Sequence, residues 1–227
     1  MIQIKTIPQK KENLEISNRI KAICIDRNEN ITKRLKIASI DFTVNIFDDA
    51  TRLISGLGIQ GEKLGIFSGY VDYSNEINIV SPENLEPIFS DNLNKQLIIM
   101  IDDCLYKMYL CKNFFKETKD YKLYYKYLTN SISSAISGNY NQDTIAFELK
   151  NYNPEKKYKK DTEILMILYV LIDQGASEMI LDNLSLFYQD CDVKTTIFKL
   201  FKKEYKEIIH FYNKEHLKNE KEIRKIR

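Results

Sequence analysis

Apolar residues follow two different periods along this chain, and the change from one to the other divides it. In Ile40-Asp41-Phe42-Thr43-Val44-Asn45-Ile46-Phe47 every second position is apolar, as in a strand with one buried face. Residues 65–73 and Glu76-Ile77-Asn78-Ile79-Val80 read as two more strands. Ser74-Asn75 between them is a two-residue polar turn that predicts a hairpin. A short helix over residues 50–55 follows the Asp48-Asp49 cap. From Asp91 onward the spacing becomes helical and predicts helices over 92–115, 121–136, 161–174, 177–189, 193–202 and 203–218. Asp91, Asp161 and Asp192 are available as caps, and Gly138 and Gly175 sit where helices should stop. Ahead of the strands, Leu14, Ile20, Ile23, Ile31 and Leu35 predict one amphipathic helix, or two broken around Asn28-Glu29-Asn30. The expected fold class is α+β, with a small antiparallel or mixed sheet of about three strands followed by a mainly helical bundle. Residues 1–39 then form a helical leading segment, 40–218 the main domain, and 219–227 a charged, solvated helix end.

Charge changes this picture little. The 34 basic and 32 acidic residues leave a net charge of +2, which argues for neither a nucleic-acid nor a membrane partner. The first thirty residues lack the apolar stretch of a signal peptide, and no run of apolar residues is long enough to span a bilayer, so a cytoplasmic protein is expected. Cys24, Cys104, Cys111 and Cys191 are scattered without a Cys-x-x-Cys pair and read as reduced core thiols.

Few residues carry candidate chemistry. Gly56-Leu57-Gly58-Ile59-Gln60-Gly61 satisfies G-x-G-x-x-G, but it runs into a predicted strand where a dinucleotide site requires a helix N-terminus. His210 and His216 are six apart, about 120° from alignment on one helix, and do not form a metal pair. Asp102 and Asp103 are adjacent and point about 100° apart, which speaks against a paired-carboxylate site. Cys104 would need a base to act as a nucleophile. Lysines interleave with Tyr106, Tyr109, Tyr121, Tyr124, Tyr125 and Tyr127; with no Arg in the run, these read as core or cleft aromatics instead of a stacking platform.

The order of elements around Ile79-Val80-Ser81-Pro82, Leu97-Ile98-Ile99-Met100-Ile101-Asp102-Asp103-Cys104, Tyr127-Leu128-Thr129-Asn130-Ser131 and Ala135-Ile136-Ser137-Gly138-Asn139-Tyr140 resembles the small gluzincin zinc metallopeptidases, which are thermolysin-like. The resemblance spans about residues 40–215 and implies a zincin-like helical bundle. In that family the first active-site helix carries His-Glu-x-x-His, whose imidazoles at i and i+4 bind zinc, and the next helix supplies a Glu as third ligand. Here Met100 and Cys104 take the histidine places, Ile101 the general-base place and Asn130 the third-ligand place. A slip of one residue would put Asp102 in the general-base place. The resemblance thus implies a degenerate member with no metal, no cofactor and no zinc-dependent hydrolysis. It would bind a peptide or partner protein through an inherited cleft, with Ser81, Pro82, Asp102 and Tyr127 as cleft residues. The alternative is an enzyme whose non-zinc site is built around Cys104 and Asp102.

Overall fold

The computed structural model describes residues 1–7, 14–49, 51, 70–72, 75–81, 93–114, 122–190 and 192–226. The chain divides into two compact units, Met1–Asn113 with Ser137–Asn139, and Phe114–Ile136 with Tyr140–Arg227. The first holds β1 (Ile2–Ile7), α1 (Leu14–Leu35), β2 (Phe42–Phe47), β3 (Tyr70–Asp72), β4 (Glu76–Val80) and all but the last residue of α2 (Leu93–Phe114).

The sheet corrects the expected fold class. Its order is β1-β2-β4-β3, and the three longer strands β1, β2 and β4 are parallel; only the three-residue edge strand β3 runs antiparallel, to β4. The physical reason is β1, which belongs to the leading segment expected to be helical. Ile2-Gln3-Ile4-Lys5-Thr6-Ile7 alternates as a strand should, and the chain returns from it through α1, so that β2 runs the same way with Ile4 opposite Val44. A second parallel pairing sets Val44 opposite Ile77.

Central parallel strands are covered on both faces. Accordingly Phe42, Val44, Ile46 and Phe47 of β2 and Ile77, Ile79 and Val80 of β4 are all buried. The alternation in β2 predicts a solvated polar face, yet Asn45 is buried too. It is tolerated because its Nδ2 donates to Asn78 Oδ1 directly across the sheet at 2.8 Å.

Helix α1 runs unbroken through Asn28-Glu29-Asn30. Ile20, Cys24, Asn28 and Ile31 are its buried stripe, and Thr32 Oγ1 donates back to the Asn28 carbonyl at 2.8 Å. Asn28 is therefore a core position whose side chain is bonded elsewhere, and not a turn former.

The second unit contains α3 (Lys122–Ser137, its last residue excepted), α4 (Gln142–Lys150), α5 (Lys160–Asp173), α6 (Ser177–Asp182), α7 (Leu184–Asp190), α8 (Val193–Phe201) and α9 (Tyr205–Ile226). Helix α4 was not expected; the Asn141 side chain caps it by accepting from the Thr144 N–H at 2.9 Å. The helix foreseen over 177–189 is two, separated at Asn183, and α5 starts at Lys160 without a side-chain cap from Asp161. Asp192 does cap α8, accepting from the Lys194 and Thr195 N–H groups. Lys202 then takes a left-handed φ of 55° and turns the chain into α9. Buried Tyr205, Ile208, Ile209 and Tyr212 form the inner stripe of α9, against α4, α5 and α8. All but residue 51 of the expected helix over 50–55, the glycine cluster 56–61, most of the strand over 65–73, and Ser74, Pro82, Asp91 and Cys191 lie outside the described residues. Among the described residues, no helix is long and apolar enough to cross a membrane.

Gly138 and Gly175 follow α3 and α5 with φ of +80° and +84°. A Cβ at Gly175 would meet nothing within 4 Å, so only the backbone resists substitution. Gly175→Ala is expected to lower stability by about 1 kcal/mol through the left-handed conformation alone. Urea unfolding checks this, and an unchanged midpoint would show that the turn relaxes.

Candidate functional site

Helix α2 carries most of the residues that the sequence singles out. From Met100 to Leu110 only Lys107 is even partly exposed. A helix buried on every side cannot leave its polar groups to water, so each charged or polar side chain on it needs a protein partner. Arg27 of α1 supplies one, its Nε and Nη2 donating to the two oxygens of Asp102 at 2.7 Å each, a planar fork on a carboxylate. Tyr109 OH donates to Asn28 Oδ1 at 2.6 Å and accepts from the Ile40 N–H at 3.2 Å, while Arg34 Nη1 donates to Tyr106 OH at 3.0 Å. The network joins the middle of α2 to the C-terminal half of α1.

Asp103 is wholly buried. Lys107 Nζ donates to its Oδ2 at 2.6 Å, and Asn139 Nδ2, from the turn after α3, donates to the same oxygen at 2.7 Å. Burial alone would lower the Lys107 pKa, but the Asp103 carboxylate, helped by smaller contributions, carries it above its ordinary value. Asp103 and Lys107 are thus the pair at i and i+4 that converges on one point.

Met100, Ile101 and Cys104 are buried at 4 %, 0 % and 0 % exposure, packed as apolar residues. Asn130 belongs to the second unit and is exposed. Of the expected cleft residues, Ser81 is buried, with its N–H donating to the Phe47 carbonyl at 2.7 Å, and Asp102 is held by Arg27. Tyr127 is half-buried in the second unit. Burial, with a smaller push from Asp103, raises the Cys104 thiol far above its ordinary value, and burial pushes Cys24 up to about 12; neither is a thiolate at neutral pH. Among the described residues no three His, Cys, Asp or Glu side chains stand together so as to hold a metal ion. Tyr106, Tyr109 and Tyr125 are buried, so their faces are spent on packing.

The second unit contains an open groove of about 1160 Å³ that the pattern of the chain did not single out. The end of α5 (Leu171), α6 (Met179), the α8–α9 corner (Phe201) and α9 (Ile208, Phe211) give its apolar surface, with Tyr152 and Pro154 from the loop after α4. Phe211 is 56 % exposed and Met179 43 %. Lys203, Lys206, Lys214, His210, Glu155 and Glu207 are its charged and titratable lining. One signal was available in the sequence: Ile208-Ile209-His210-Phe211-Tyr212 has four apolar residues in five, more than one helix face accepts. The inner stripe uses the other three, and Phe211 points outward.

No family model, curated protein or solved structure matches this chain.

Removing one member of the buried pair should be worse than removing both. Lys107→Met takes the ammonium away from the buried Asp103 carboxylate and is expected to cost about 3–5 kcal/mol, whereas Asp103→Leu with Lys107→Met should cost clearly less. Chemical denaturation of the three chains measures this, and equal losses would show that the pair is not coupled. The thiols set a pH dependence. Because folding holds Cys24 protonated up to about 12, the unfolded chain releases that proton first, and stability falls as pH rises above about 9. The expected slope is on the order of 1 kcal/mol per pH unit per buried thiol, and Cys24→Ala should flatten it. Urea titrations from about pH 8 to about pH 10.5 give the slope, and one unchanged by the substitution would refute the assignment.

Proposed function

We propose that this chain is a non-catalytic, gluzincin-related protein that binds a peptide segment of a partner protein, and that the groove of the second unit is where it binds. The observation that carries the reading is the groove itself, an open concavity with an apolar floor on which Phe211 and Met179 remain exposed. Peptide-binding grooves between helices have this character, taking a row of apolar anchors while a polar rim fixes orientation.

Absence of hydrolysis is the second half of the proposal. It is supported by the packing of Met100, Ile101 and Cys104 inside α2, by the commitment of Asp102 to Arg27, and by the protonated state of the Cys104 thiol. Those features also weigh against the alternative enzyme built on Cys104 and Asp102. A nucleophile needs access and a base within hydrogen-bond reach, and a completely buried thiol lacks access. Binding is assigned to the second unit because Ser81 is buried in the first and Asp102 is held there by Arg27.

The test is a displayed library of random peptides of roughly 15 residues, about four helical turns, panned on the full chain. Selected peptides should bind the parent and lose at least about tenfold in affinity on Phe211→Asp or Met179→Asp, as truncated anchors do. Both side chains are exposed, so folding should survive and circular dichroism will report it. Peptides indifferent to both substitutions, or chelator-sensitive cleavage of any peptide by the parent, would overturn the reading.

A further inference from the structure

The charged side chains of the groove narrow the class of partner, on the reading of that groove as a peptide site. Three lysines, Lys203, Lys206 and Lys214, line it against two carboxylates, Glu155 and Glu207. Lys157, Lys159 and Lys160 are exposed in the stretch that continues from Tyr152, Pro154 and Glu155 into α5. Two other lysines of the unit are paired, Lys156 of the same stretch with Glu148 at 3.2 Å and Lys194 with Glu163 at 2.9 Å. The six lysines named for the groove and its flanking stretch form no ion pair among the described residues. The chain as a whole is nearly neutral, so this is a local excess and not a general basicity.

We infer that the groove takes an acidic peptide segment, one in which Asp or Glu residues flank apolar anchors. The apolar floor asks for side chains such as Leu or Phe, and the lysine rim asks for carboxylates beside them. Lysine suits this rim, because a flexible ammonium accepts a carboxylate from many directions and does not demand the planar approach of a guanidinium. Lys203 lies 5.9 Å from the Phe211 ring centroid, so one occupant would meet an apolar and a cationic group at the same place. Single-stranded nucleic acid is the competing polyanion. It fits less well, because Glu155 and Glu207 would oppose a continuous run of phosphates, while a peptide can place neutral residues opposite them.

The peptides selected on the parent chain provide the probe. They should carry more Asp and Glu than the unselected library, and their affinity should fall as salt rises from about 0.05 to about 0.5 M. The combined change Lys203→Glu, Lys206→Glu and Lys214→Glu should weaken them at least about tenfold and restore binding to versions in which Lys replaces the acidic residues. Peptides that are lost on Phe211→Asp yet carry no acidic excess and ignore the triple change would overturn the acidic partner and leave the groove reading standing. Peptides that ignore both Phe211→Asp and Met179→Asp remove both. A fluorescein-labelled single-stranded oligonucleotide that binds the parent more tightly than the selected peptides, and is lost on the triple change, would also overturn the inference.

Discussion

Burial of the middle of α2, Met100 to Leu110, is the constraint on which the first unit depends. That stretch has little access to water, and any charge it carries must be answered within the protein. Asp102 and Asp103 are answered from different directions, one by Arg27 of α1 and the other by Lys107 one turn along and Asn139 beyond α3. That requirement explains why α1 cannot break at Asn28. The helix must hold Arg27, Asn28 and Arg34 at fixed heights for three separate partners on α2, and a turn there would misplace at least two of them. The unbroken α1 in turn makes the crossover from β1 to β2, and so the parallel sheet follows from the same demand.

Local pattern was sufficient where one element's own residues decide the outcome. The strand at 42–47, the end of α5 at Gly175 and the Asp192 cap need only neighbours in sequence. It was insufficient where a distant residue decides. Asn28-Glu29-Asn30 has the composition of a turn, and what keeps it helical is Tyr109, eighty-one residues away. Asn45 marks a polar face by alternation, and Asn78 makes that face tolerable inside the core. The strand β1 is different, since its period of two is plain in Ile2, Ile4 and Thr6; grouping it with the helical segment behind it hid a local signal.

The candidate site shows the same division. The family resemblance pointed to Met100 and Cys104 as the i, i+4 pair of interest, yet spacing cannot tell which of several such pairs on a long helix meets a third residue. The pair that does so is Asp103 and Lys107, with Asn139 on the shared carboxylate oxygen. A tethered ammonium neutralises that carboxylate without any bound ion, and the amide uses further acceptor capacity of the same oxygen. The arrangement lets the middle of α2 carry two charges while buried.

Exposed surfaces are judged by what they leave unsatisfied. A single exposed Phe or Met on a protein surface needs no explanation, and a single unpaired lysine needs none either. The groove differs because the two occur together around one concavity. Phe211 lies off the stripe that Tyr205, Ile208, Ile209 and Tyr212 bury, so folding of α9 does not require it to be apolar. Lys206 and Lys214 likewise have no ion-pair partner among the described residues, although Glu207 and Glu215 are on the same helix. Stability within the unit would be served as well by polar residues at 179 and 211 and by charges matched along α9. On the proposed reading, the present side chains would offer an incoming segment apolar area to cover and cations to neutralise, and both gains would be realised only with the groove filled.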